Sequence, residues 1–231
     1  MSAGRWPNLF AGLRRRRRLA RIRVVFLHIP KTAGQSVRQV LARHTSVLSN
    51  TKQDWLGWED DYTHRRWAEK GYACFVRDAL GEEVWECAFK FSFVRNPWAR
   101  AVSAWRYLDR PGDLGFGLTF PEFLARIENL TPRYAPDDRA RNKFSWHVEP
   151  QAPQLLDATG RVLVDFVGRT ERLDVDFAEA CRRAGIAAAP LPRVNATEHS
   201  RYQEYYDASS RERVGRIYAQ DVETFGYAFE D

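Results

Sequence analysis

Four apolar residues, Val24 to Leu27, stand between Arg23 and His28, and Pro30 and Gly34 break the run. A short apolar run closed by breakers predicts a strand, here over 23–28. Ser36 can start a helix, predicted over 35–44. Further on, Phe89, Phe91 and Phe93 alternate with Lys90 and Ser92, which predicts a strand over 88–94. Asn96 is a good N-cap and Pro97 a good first helical residue, so a helix is expected over 97–108. Helices are also predicted over 64–80 (ending near Gly81), 120–130, 172–184 (stopped by Gly185) and 208–224, and a third strand over 162–167. Residues 45–63, 109–119, 131–160 and 186–200 read as irregular or loop. Strands alternating with helices predict an α/β, three-layer, P-loop-like fold: a central parallel sheet flanked by helices. The organisation expected is a basic arm over 1–22 and a single domain over 23–231, with 131–160 as a candidate acceptor-binding insert.

A strand, a tight loop and a helix N-terminus form an anion site, because backbone N–H groups and the helix dipole both favour negative charge. Lys31 adds a mobile cation to that loop. The ligand implied is a phosphate-like group. The loop is not G-x-x-x-x-G-K-[ST]: Lys31 precedes Gly34 and no hydroxyl follows a Gly-Lys pair, so it is poorly built for a magnesium-bound nucleoside triphosphate. Taken alone, Lys-Thr-Ala-Gly would read as a surface turn.

Arg95 falls at the carboxyl end of the 88–94 strand, where open α/β sheets bind ligands. Ser103 lies two turns into the following helix, and Arg100 falls on a different face. Alone, this segment would read as an ordinary strand-turn-helix with a solvated arginine.

Together the two segments resemble the sulfotransferase superfamily. His28-Ile29-Pro30-Lys31-Thr32-Ala33-Gly34-Gln35-Ser36 is similar to its 5'-phosphosulfate loop, and Arg95 with Ser103 to its 3'-phosphate motif. The wording is similar to that of the Golgi carbohydrate sulfotransferases and their bacterial relatives. Supporting likenesses are Trp146-His147-Val148-Glu149-Pro150-Gln151, with Val148 where the family often has Trp, then Asp165-Phe166-Val167-Gly168-Arg169-Thr170-Glu171, and the close Tyr218…Asp221…Phe225-Gly226-Tyr227. The resemblance covers residues 24–228. It implies 3'-phosphoadenosine 5'-phosphosulfate as donor, a carbohydrate-type hydroxyl as acceptor and no metal. It further implies that Thr32, Ala33, Gly34, Gln35 and Ser36 hold the 5'-phosphate, that Lys31 also stabilises the bridging oxygen as it leaves, and that Arg95 and Ser103 hold the 3'-phosphate. The transfer itself requires positioning and electrostatic stabilisation more than covalent chemistry.

A base near neutral pH is most often His. The resemblance points to His64, and the H-x-x-P-Q motif to His147; the sequence leaves both open, with Glu149 as a carboxylate alternative. His28 reads as structural under the loop and His44 as a helix-terminus cation. His199 lies in a loop, as do Arg193, Asn195 and Thr197, to which no role is assigned.

Composition narrows this picture modestly. At 231 residues with net charge +6, the chain is long enough for a sizeable core and basic enough to suit an anionic donor. Arg14 to Arg18 read as a solvated run, with docking on an anionic surface as the functional alternative and no specific nucleic-acid partner expected. Trp55, Trp58, Trp67 and Trp146 are candidate platforms for sugar faces, though Trp is as readily a core residue. No apolar run nears the ~20 residues of a membrane span. Cys74, Cys87 and Cys181 form neither a metal cluster nor a disulfide framework. The chain is therefore read as cytoplasmic and bacterial, without the membrane anchor of the Golgi enzymes. Two other readings stay open: a nucleotide or sugar kinase, in which Val162–Asp165 would be an apolar strand ending in a magnesium-binding Asp, and a non-catalytic glycan- or nucleotide-binding module.

Overall fold

The computed structural model describes residues 19–49, 71–110, 114–115, 117–130, 135, 138–192 and 201–231. Four strands build its sheet: β1 (Val24–Leu27), β2 (Val47–Ser49), β3 (Phe89–Val94) and β4 (Phe166–Arg169). All pairings are parallel, in the order β2-β1-β3-β4. Val24 pairs with Val47 on one side and Phe89 on the other, and Phe91 with Phe166.

The helices follow from the chain's breakers and caps. α1 (Gly34–Leu41) leaves the loop after β1. α2 (Tyr72–Leu80) stops at Gly81, whose φ of 84° suits glycine, and α3 (Glu82–Cys87) follows at once. α4 (Pro97–Leu108) is capped as its sequence predicts: the Asn96 side chain accepts from the Trp98 and Ala99 N–H groups. α5 (Phe120–Glu128) starts with a capping box between Thr119 and Glu122. Then come α6 (Arg139–Val148), the short α7 (Ala152–Leu155), α8 (Leu173–Ala184) ended by left-handed Gly185, α9 (Ala208–Ile217) and α10 (Ala219–Phe225).

The sheet is covered on both faces, so the fold is the expected three-layer α/β arrangement. Val25 and Leu27 pack with Tyr72, Val76 and Leu80 of α2 and Leu155 of α7. Val24 and Phe26 point the other way, to Val37 and Leu41 of α1 and Phe177 of α8. Each such side chain contributes ~1.5–3 kcal/mol on full burial. A third cluster joins α4, α5, α6 and α9 through Trp98, Phe123, Phe144, Val148 and Val214. Among the described residues no helix is long and apolar enough to cross a membrane.

The alternation in β3 does not mark an exposed face. Lys90 and Ser92 are both buried. The Lys90 ammonium donates to the carbonyls of Trp85 (3.2 Å) and Ala88 (3.0 Å), and the Ser92 hydroxyl to Leu27 (2.7 Å).

Several sequence-based expectations are corrected. Residues 162–167 do not form the third strand: Val162 makes an isolated antiparallel bridge to Leu156, and β4 begins at Phe166. Val47–Ser49 is a strand and not irregular, and 131–160 holds α6 and α7 where loop was expected. The final helix is broken at Tyr218, whose hydroxyl donates to the Val148 carbonyl at 2.8 Å. The 64–71 part of the helix predicted over 64–80 is not helical where it is described, at Gly71, and otherwise lies outside the described residues.

Gly34 is set by a close approach. A Cβ there would lie 1.8 Å from His28 Cδ2 and 2.2 Å from its Nε2. Gly34→Ala should therefore cost about 1–3 kcal/mol by overpacking, and His28→Ala in the same chain should recover most of that loss. Denaturant unfolding of the two single variants and the double variant checks this; additive losses would refute the contact.

Candidate active site

The loop between β1 and α1 is strained and shaped from within. Lys31 (φ 72°) and Ala33 (φ 59°) are, among the described residues, the only non-glycine residues at positive φ. Such conformations cost of order 1 kcal/mol or more each and cluster at functional sites. Thr32 is fully buried, and its hydroxyl donates to the Ile29 carbonyl at 2.8 Å. Ala33, at the N-cap, offers no capping side chain, and the first turn of α1 carries no acid. The Ser36 N–H turns back to the Ala33 carbonyl at 3.1 Å. The first turn of α1 opens on the cleft through Gly34, Gln35 and Ser36, and a helix N-terminus favours negative charge.

Arg95 follows β3 directly. Its backbone is clamped by Gln151: the Arg95 N–H donates to Gln151 Oε1 at 2.9 Å, and Gln151 Nε2 donates to the Arg95 carbonyl at 2.8 Å. Gln151 is held in turn by the buried Asp221 carboxylate, which accepts from the N–H groups of Gln151 (2.9 Å) and Ala152 (2.7 Å). The Arg95 guanidinium reaches the Lys31 carbonyl at 3.4 Å, tying the two candidate phosphate segments together. Burial, and then Arg100, push the Arg95 guanidinium below its ordinary pKa, while Glu171 pulls it up. A cation so placed favours an added anion.

His147 comes from the last turn of α6. Its Nδ1 lies 2.8 Å from the Lys143 carbonyl. A carbonyl can only accept, so Nδ1 carries the proton in the neutral ring and Nε2 keeps its lone pair. Its pKa is lowered to about 4, first by burial, with the nearby charges of Lys31, Arg100 and Lys143 adding to the effect against the Lys143 hydrogen bond. His28, at the end of β1, is lowered to about 3 by burial, then by Arg38, His147 and Lys31.

These groups meet in one cleft of about 450 Å³. Lys31, Ala33, Gly34, Gln35, Ser36, Arg95, Ser103 and His147 all line it, joined by His28 and Trp146. Its charged lining is Lys31, Arg95, Arg106 and Arg110 against Asp174 alone among the described residues. Thr32 does not line it; its side chain lies below the loop. Glu149 is also absent from the lining, being buried and accepting from the Ser145 hydroxyl at 3.3 Å. His64, His199, Arg193, Asn195, Thr197, Trp55, Trp58, Trp67 and the Arg14–Arg18 run lie outside the described residues.

The motifs in the sequence single out Ser103 but not Arg106, Tyr107 and Arg110, which line the cleft with it. The signal was present: these stand three, four and seven positions beyond Ser103, the spacing of one helix face. The motifs also leave Arg100 on another face without a role, whereas that guanidinium is buried and donates to the carbonyls of Pro30 (3.1 Å), Glu149 (2.8 Å) and His147 (3.3 Å).

The kinase reading loses its magnesium residue here. Asp165 precedes β4, at the amino ends of the parallel strands, whereas the Lys31 loop follows the carboxyl end of β1. Its carboxylate accepts from the Lys90 N–H at 2.7 Å and sits 3.1 Å from the Lys90 ammonium, a structural pair. Among the described residues no group of three His, Cys, Asp or Glu is arranged to hold a metal ion.

The chain is similar to known proteins in three ways. The sequence profile of the sulfotransferase family matches residues 19–228. An uncharacterized protein of Archaeoglobus fulgidus is 28% identical over 135 residues, which cover 57% of this chain and 97% of that protein. The crystal structure of a sulfotransferase from Alicyclobacillus acidocaldarius superposes with a TM-score of 0.50 at 17% identity, covering 90% of this chain and 97% of that one, a likeness of fold. The profile match takes in the loop of Lys31, the Arg95 and Ser103 segment and the closing Tyr227 alike, and by it the chain belongs to the sulfotransferase family.

Proposed function

We propose that the protein transfers a sulfuryl group from 3'-phosphoadenosine 5'-phosphosulfate to a hydroxyl of a carbohydrate-type acceptor. The observation that carries this reading is the convergence of Lys31, the start of α1, Arg95, Ser103 and His147 on one cationic cleft. In this reading the first-turn N–H groups and the Ser36 hydroxyl hold the 5'-phosphate, with Thr32 contributing its backbone and the shape of the loop. Arg95 and Ser103 take the 3'-phosphate. Trp146 offers a flat face to a sugar beside His147.

The acceptor oxygen forms a bond to sulfur as the bond from sulfur to the 5'-phosphate oxygen breaks. The acceptor proton passes to His147 Nε2, and Lys31 offsets the charge gathering on the leaving oxygen. Of the two histidines that the sequence left open as base, His147 is the one supported by a position in the cleft; His64 lies outside the described residues.

Arg95→Ala should weaken binding of adenosine 3',5'-bisphosphate about 10- to 100-fold, the size of a lost charge-assisted contact, and leave adenosine 5'-phosphate nearly unaffected. Equal losses for both nucleotides in a calorimetric titration would remove Arg95 from the 3'-phosphate.

The base gives a pH signature. His147 is deprotonated above about 4, so kcat/KM should rise through that pH and stay flat to neutrality. The anionic donor favours the imidazolium, so the same limb in kcat should lie at higher pH. His147→Gln should abolish the limb and lower kcat by about 10²–10⁴. A pH–rate profile that keeps its limb in His147→Gln would assign the base elsewhere.

A further inference from the structure

Tyr107 lies where the two chemical roles of the cleft meet. Its ring stacks on the His147 imidazole, with centroids 4.9 Å apart and planes at 23°. The Lys31 ammonium sits 3.8 Å from the same ring's centroid. Arg110 and Lys143 bring two more cations within 6.0 Å of it. A negative π face attracts a cation at this distance, and a stacked ring restrains its neighbour's plane. The phenol hydroxyl has no hydrogen-bond partner among the described residues, so Tyr107 acts on its neighbours through its ring.

The ring itself is well anchored. α4 carries it, with Ala104 and Leu108 buried in the helical cluster beside it. Asn96 caps that helix and Arg100 ties it to Pro30 of the phosphate loop. Lys31, by contrast, is a flexible four-carbon cation, which loses rotamer freedom whenever it is held in one geometry.

We propose that Tyr107 is a positioning residue: its ring holds the Lys31 ammonium and the His147 imidazole at a fixed separation, so that leaving-group stabilisation and proton removal are aligned on one sulfur. In-line transfer needs these groups on opposite sides of the reacting atom, and a ring that touches both sets that spacing. The proposal rests on the sulfotransfer reading of the cleft for its chemical consequence, while the geometry can be tested without turnover.

The test compares Tyr107→Phe with Tyr107→Leu in protein carrying isotopically labelled lysine, with the Lys31 signal assigned by its absence from Lys31→Arg. The Lys31 ε-methylene protons should resonate upfield in the parent chain and in Tyr107→Phe, and lose that ring-current shift in Tyr107→Leu. In parallel, kcat should fall about tenfold in Tyr107→Leu, the scale of one such contact, with adenosine 3',5'-bisphosphate affinity unchanged, and stay within about twofold in Tyr107→Phe. An unmoved Lys31 signal in Tyr107→Leu overturns the proposal, as does an equal kcat loss in Tyr107→Phe. A matching loss of nucleotide affinity also overturns it, since Tyr107 would then hold the loop rather than the catalytic groups. Should Tyr107→Leu unfold, Tyr107→Met fills similar space without a π face. If the parent chain binds no bisphosphate, the sulfotransfer reading fails, and the lysine spectrum still decides whether Tyr107 fixes Lys31.

Discussion

The geometry of this site depends on one buried guanidinium. Arg100 is 1% exposed and donates to three carbonyls, those of Pro30, His147 and Glu149. One oxygen belongs to the Lys31 loop and two to the end of the helix that carries the His147 ring. Burial lowers the guanidinium's pKa, and Tyr218, Asp221 and Glu149 oppose that shift. A charge in this position is tolerated because its donors are matched by oxygens. Each of those carbonyls would cost about 1–3 kcal/mol if left buried without a donor, so loop, α4 and α6 are held to one another by mutual need.

A second tier of contacts carries information from the end of the chain back to its middle. Asp221 fixes Gln151, and Gln151 clamps the backbone of Arg95. Tyr227 donates to Glu171, which accepts from the Asn96 N–H on its other oxygen. Arg169 stacks 4.5 Å from the Tyr227 ring and donates to the Phe225 carbonyl. The closing motif therefore acts on the Arg95 segment through the H-x-x-P-Q and Gly-Arg-Thr-Glu segments. Motifs that look independent in the sequence form one hydrogen-bonded frame around the cleft.

Local chemistry made part of this readable in advance. The apolar run before Pro30, the Asn96-Pro97 cap and the stop at Gly185 each act over a few residues, and each produced the element expected. What could not be read was set by tertiary pairing. Val162 to Val164 are apolar and look like strand, yet the ladder with β3 starts only where the Asp165 N–H meets the Lys90 carbonyl. β2 is three residues long, too short for a period to declare itself. α6 is polar along most of its length and buries only Phe144, Ser145 and Val148, so it resembled loop. At the site, Lys31, Arg95 and Ser103 stand out as candidates in the sequence because their motifs are local, and all three line the cleft. The roles of Arg100 and Tyr107 arise from contacts across long separations in sequence, and periodicity alone cannot supply them.

The proposed transfer requires a cleft that takes a nucleotide with a 3'-phosphate. The decisive experiment is calorimetric titration of the intact protein with adenosine 3',5'-bisphosphate, beside ATP with magnesium. Tight binding of the bisphosphate with no magnesium-dependent binding of ATP is the result expected. Magnesium-dependent ATP binding without preference for the bisphosphate, or binding of neither, would contradict it.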